Sequence, residues 1–105
     1  MKLSELKPDA RRLAAICRRY RVAKLEVFGS FASGEAEASS DLDMLVTFEA
    51  GAVIGLEFVS LHQELATLFS RRVDLLTRES VERAANRYFR HYALRHTAVL
   101  YEHAA

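Results

Sequence analysis

Two aspartates interrupt an apolar stretch in the middle of the chain. Asp41 and Asp43 flank Leu42 and lead into Met44, Leu45 and Val46. Side chains two apart on a strand point to the same face, roughly 6–7 Å apart along the chain. A buried strand does not normally give two adjacent same-face positions to carboxylates, because an unpaired buried charge is expensive. A divalent cation removes that cost. Such a strand needs a fold that packs its apolar face into a core and leaves the acidic face open to a ligand.

The rest of the chain supplies elements to build that fold. Leu13, Ile16, Cys17 and Tyr20 fall at helical spacing, and Pro8 and Asp9 suit a first turn, so a helix is expected over about residues 8–20. Residues 24–28 read as a strand that Gly29 ends, and residues 41–48 read as a second. Gly51 and Gly55 bracket a loop. Phe58, Leu61, Leu65, Leu68 and Phe69 give a helical face over about 56–69. Residues 72–77 form a third strand, with Val73 and Leu75 on one side and Asp74 between them. From Glu79 onward, Val81, Ala85, Tyr88, Tyr92 and Val99 predict one long C-terminal helix. The expected class is α/β (α+β), a small three-stranded mixed sheet covered by helices.

With 105 residues, one proline and no repeat, a single domain over 1–105 is expected. The net charge of +1 gives no general electrostatic reason for direct nucleic-acid binding, which is not expected. Cys17 is alone, so no internal disulfide can form. The N-terminal residues lack the apolar core of an export signal, and no apolar run approaches a membrane span. The expected compartment is the cytoplasm, with no membrane association. Oligomerisation is left open.

Asp41 and Asp43 are the right groups for Mg2+, which takes oxygen ligands and is usually held by one or two carboxylates plus substrate phosphates. Asp74 is the third candidate if its strand pairs beside theirs. Two metal ions about 4 Å apart could then clamp an in-line displacement at phosphorus, with Asp74 also placed to accept the attacking hydroxyl's proton. Gly29 permits close approach of backbone to phosphate. Ser30 adds a hydroxyl and an N–H, and a helix starting there would add its positive end.

Gly29 through Glu49, GSFASGEAEASSDLDMLVTFE, resembles the minimal nucleotidyltransferase (MNT) family of the polymerase β-like superfamily. The likeness continues through GLEFVSLHQELATLFSRRVDLLT and covers roughly residues 20–102. It implies the minimal nucleotidyltransferase fold, with Gly29 and Ser30 at the nucleotide-binding turn. Asp41, Asp43 and Asp74 would be the catalytic, metal-binding carboxylates. It also implies Mg2+ as cofactor and ATP as substrate. Many members are antitoxins that transfer AMP to a tyrosine of a HEPN ribonuclease toxin, so such a toxin is the expected partner. Where the family often reads Gly-Ser-x-Ala-Arg-Gly, this chain has Ser33 in place of the arginine. Two other readings remain: an antitoxin of this fold acting by contact alone, and a nucleotidyltransferase for a small-molecule hydroxyl. Arg90 and His96 also echo the Arg-x5-His motif of HEPN ribonucleases, but that domain is all-helical. Tyr88, Phe89 and Tyr92 are expected in the core. Arg83, Arg87 and Arg90 are expected as one helical stripe that is solvated or docks a partner, and Asp74 could instead pair with Arg71 or Arg72.

Overall fold

A computed structural model describes residues 5–6 and 8–103. The absence of an export signal was expected partly from residues 1–4 and 7, which lie outside the described residues. The element order is α1 (Ala10–Arg19), β1 (Val22–Phe28), α2 (Ser30–Ser33), β2 (Leu42–Phe48), α3 (Glu57–Phe69), β3 (Val73–Thr77), α4 (Arg78–Glu82), α5 (Arg87–Arg95) and β4 (Thr97–Glu102). The strands form one mixed sheet in the order β3-β2-β1-β4. β2 and β3 are parallel, joined by the α3 crossover, and β1 runs antiparallel to both β2 and β4.

One face of the sheet carries the main core. Alternation along β2 sends Leu42, Met44 and Val46 into it, β3 adds Val73 and Leu75, and α1 and α3 cover it with Leu13, Ile16, Cys17, Leu61, Leu65 and Phe69. An irregularity in β1 between Val22 and Lys24 shifts the register, so Val22 joins Leu25 and Val27 on this face despite the odd spacing. The opposite face is only partly roofed. Phe28 and Leu45 pack there with Val81 of α4 and Ala93 of α5. Asp43 and Asp74 lie on the same face, beyond the cover of these helices, and Glu26 of β1 joins them there.

The C-terminal third departs from the sequence expectation. One long helix was expected, and the chain instead forms α4, α5 and a fourth strand. Asn86 explains the break: its side chain accepts from the amides of Tyr88 and Phe89, an N-cap that starts a new helix after Ala85. Thr97–Glu102 then pairs with β1, giving four strands where three were expected. Tyr88, Phe89 and Tyr92 are not core residues, being 75%, 38% and 54% exposed. Arg83 ends α4, whereas Arg87 and Arg90 lie on α5, so the three do not form a single helical stripe.

Candidate active site

β1 runs into Gly29, whose φ of 72° and ψ of −145° lie in a region essentially reserved for glycine. A Cβ built there would stand 2.5 Å from Asp43 Oδ2 and 3.3 Å from the Tyr92 hydroxyl oxygen. The glycine is therefore required twice, for its backbone conformation and for the close approach of two side chains. Ser30 opens α2, with Gly29 as the N-cap residue. The amides of Ala32 and Ser33 are bonded to the Gly29 carbonyl, and a helix start leaves the preceding amides, those of Ser30 and Phe31, without intrahelical acceptors. At four residues α2 is too short to add much of a helix dipole, so the individual amides carry what the sequence reading assigned to a helix end.

The carboxylates come from the neighbouring strands. Asp43 lies opposite Phe28 of β1 on one side and opposite Asp74 of β3 on the other. The parallel register of β2 and β3 thus sets Asp43 and Asp74 side by side on the open face. Asp41 stands one residue before β2, which was expected to begin there, and is near enough for its charge to act on Asp43. Burial, the charge of Asp74 and the charge of Asp41, in that order, push the Asp43 carboxyl up from 3.8 to about 6. Like charges have been gathered here, and burial and their mutual repulsion hold Asp43 toward its protonated form.

Among the described residues, no three acidic, His or Cys side chains already stand as a metal-binding cluster. Asp41 pairs with Arg72 Nε at 3.1 Å. Both side chains are substantially exposed, and a pair of that kind contributes at most about 1 kcal/mol, so it competes only weakly with another ligand for Asp41. The arginine beside the site, Arg72, thus pairs with Asp41. An oxygen-only donor set, a raised carboxyl and a glycine with no room for a side chain fit a small hard divalent cation such as Mg2+.

Three supporting features carry no sequence motif. Arg71 Nη1 donates to the carbonyls of Ala38 at 2.8 Å and Ser40 at 2.9 Å, and its guanidinium lies 4.9 Å from the Phe31 ring centroid. It ties the loop between the Gly-Ser turn and Asp41 to the start of β3. Glu26, only 2% exposed, sits on the acidic side of β1 and accepts from Arg78 Nη1 through both oxygens, at 2.8 and 2.9 Å. That anchors α4 beside the site and commits Arg78 to a structural task. Arg83 pairs with Glu79 on the surface. The third feature is the end of α5: Tyr92, Arg95 and the adjoining His96 line the same cleft as Gly29, Ser30 and Ser33.

A glycine turn joined to a carboxylate pair across parallel strands, on a minimal α/β sheet, defines a domain of the nucleotidyl-transfer class. The chain belongs to the nucleotidyltransferase domain family, whose model matches residues 10–99. It is 41% identical over 64 residues to the protein adenylyltransferase MntA of Thermococcus cleftensis, a stretch covering 61% of this chain and 64% of that relative. The chain thus spans just under two thirds of that relative's length. A solved structure of a candidate minimal nucleotidyltransferase matches with a TM-score of 0.66 at 38% identity, covering 93% of this chain and 95% of the other. A toxin–antitoxin crystal structure with AMP-PNP matches with a TM-score of 0.64 at 21% identity, covering 90% of this chain and 74% of the other, which speaks to the fold alone. No helix among the described residues is long and apolar enough to cross a membrane.

Proposed function

We propose that this chain is a protein adenylyltransferase that moves AMP from ATP to a hydroxyl of a partner protein, a HEPN-type toxin tyrosine, and acts as that toxin's antitoxin. The observation that carries the reading is the register that sets Asp43 beside Asp74, with Asp43 Oδ2 against Gly29 at the phosphate turn. The names of its relatives, among them an adenylyltransferase and a toxin–antitoxin pair with an ATP analogue, point the same way.

Asp41, Asp43 and Asp74 would hold Mg2+, which when bound neutralises the triphosphate and the charge that develops on the leaving group. The Ser30 hydroxyl and the amides of Ser30 and Phe31 would take phosphate oxygens. The incoming phenol oxygen attacks the α-phosphorus, the bond to the β-phosphate oxygen breaks, and pyrophosphate departs with the electron pair. The phenolic proton would pass to Asp74, an exposed carboxylate of the acidic face. The roof over this face is incomplete, so the acceptor is brought by a bound protein and is not enclosed in a pocket of this chain. The outer side of α5 (Arg87, Tyr88, His91 and Leu94) borders an open groove that reaches Arg95, which also lines the phosphate-turn cleft. That groove is where the acceptor protein would dock.

The test is co-purification with the product of the neighbouring gene, followed by intact-mass analysis after incubation with Mg2+ and ATP. Mass added to the partner in whole AMP units, and lost with Asp43→Ala, supports the reading. A stable complex with no added mass would replace it with neutralisation by contact alone, and modification of a small hydroxyl compound in place of a protein would replace it with the small-molecule transferase.

A further inference from the structure

We propose that the C-terminal end of α5 forms the outer wall of a polyphosphate subsite, with Arg95 as its principal cation and Tyr92 as a hydroxyl donor. The proposal rests on the nucleotidyltransferase reading above and extends it to residues outside the two motifs.

A single cleft of about 140 Å3 is lined by Gly29, Ser30 and Ser33 from one side and by Tyr92, Arg95 and His96 from the other. Ser30 and Ser33 belong to the turn that leaves amides unpaired, and Ser33 Oγ donates to the Ser30 carbonyl. The Tyr92 hydroxyl reaches within 3.3 Å of the point where a Gly29 side chain would begin, so it hangs directly over the turn. Arg95 lies in the last turn of α5, is exposed, and has no ion-pair or hydrogen-bond partner among the described residues. Other arginines bordering the acidic face are committed: Arg72 to Asp41, Arg78 to Glu26, and Arg71 to the carbonyls of Ala38 and Ser40. A guanidinium with no acid partner, facing a glycine turn and three hydroxyls, suits the ligand chemistry of two linked phosphates. One acid, Glu35, shares the cleft and opposes an anion there.

The subsite divides the labour of the site. The carboxylates on β2 and β3 gather around the reacting α-phosphate, while α5 takes the part of the nucleotide that leaves as pyrophosphate. Ser33 lies on the far wall of the same cleft, so a cation could reach this space from either position 33 or position 95. In this chain it comes from position 95.

The experiment titrates the full chain with MgATP, inorganic triphosphate and AMP by calorimetry at low salt, with melting curves to confirm folding. Arg95→Ala should weaken ATP and triphosphate by about ten- to a hundredfold and leave AMP within about twofold, because AMP lacks the β- and γ-phosphates. Adding Ser33→Arg to that variant should recover most of the loss, and Glu35→Gln should tighten triphosphate. Unchanged ATP affinity in Arg95→Ala, an equal loss for AMP, or no recovery by Ser33→Arg would overturn the proposal. Triphosphate binding that depends on Arg95, in a protein that transfers no AMP, would keep the subsite and remove the proposed function. Transfer of AMP by an Arg95→Ala variant of unchanged ATP affinity would do the reverse.

Discussion

Replacing Asp43 with Asn removes the central member of three mutually repelling carboxylates while keeping its shape. The Asp43 carboxyl is pushed up from 3.8 to about 6, chiefly by burial and then by Asp74 and Asp41. A displacement of that size corresponds to about 3 kcal/mol as an upper bound. Asp43 is only half-buried, so solvent screening brings the expected cost nearer to about 1–2 kcal/mol. The sign follows from proton linkage. Between 3.8 and about 6 the folded chain holds this proton more tightly than the unfolded chain does, so acid favours folding across that window and the full penalty is present above about 6. Asp43→Asn should therefore raise the melting temperature at pH 8, by roughly 5–10 °C for a chain of this size, and change it little at about pH 4. Millimolar Mg2+ should raise the melting temperature of the wild type and leave that of the variant nearly unmoved. The assay is thermal unfolding of both proteins at the two pH values, with and without the metal. A lower melting temperature for the variant at pH 8, or an equal change at both pH values, would refute the picture of a carboxylate destabilised by burial and by its acidic neighbours.

Three further outcomes are expected. Arg78→Ala leaves the buried Glu26 only the longer contact to Lys24 Nζ at 4.0 Å and should cost up to about 3–5 kcal/mol, whereas the double variant Glu26→Leu/Arg78→Met should lose much less; denaturant titration compares them, and equal losses would contradict the pairing. Gly29→Ala should cost about 1–3 kcal/mol from its backbone conformation and should weaken ATP binding because the new methyl meets Asp43; melting and calorimetry read the two effects separately. Burial pushes the Cys17 thiol up to about 12, so a thiol reagent at pH 8 should label it only at the rate of unfolding, and rapid labelling of the native chain would show that α1 is not packed as described.

Where periodicity was unambiguous, the sequence was a reliable guide to the fold. α3 spans 57–69 against an expected 56–69, and the alternation Val73, Asp74, Leu75 correctly separated the core side of β3 from the acidic side. The C-terminal third misled because Val81, Ala85, Tyr88 and Tyr92 satisfy a 3.6-residue period by coincidence. Ala85 and Tyr88 are exposed, and the decisive residue was Asn86, an N-cap hidden inside that run. Thr97–Glu102 carries the β-branched and aromatic residues of a strand, a signal that could have found β4. Asp43 and Asp74 were legible as neighbours because the order strand, helix, strand implies a parallel pair. The Arg72 partnership with Asp41, the Glu26–Arg78 pair and the approach of Tyr92 to Gly29 were not legible. Each joins residues distant in sequence and depends on tertiary packing that no local pattern encodes.

Under the proposed function the acidic face transfers a nucleotidyl group, not a phosphoryl group, to a protein. The most direct measurement incubates the chain and its neighbouring gene product with Mg2+ and ATP carrying label at either the α- or the γ-phosphorus. In the wild type α-label should become covalently attached to the partner and γ-label should be released as pyrophosphate, and neither should be attached when Asp41 or Asp43 is replaced by Ala. Attachment of γ-label, or α-labelling that survives both substitutions, would contradict it.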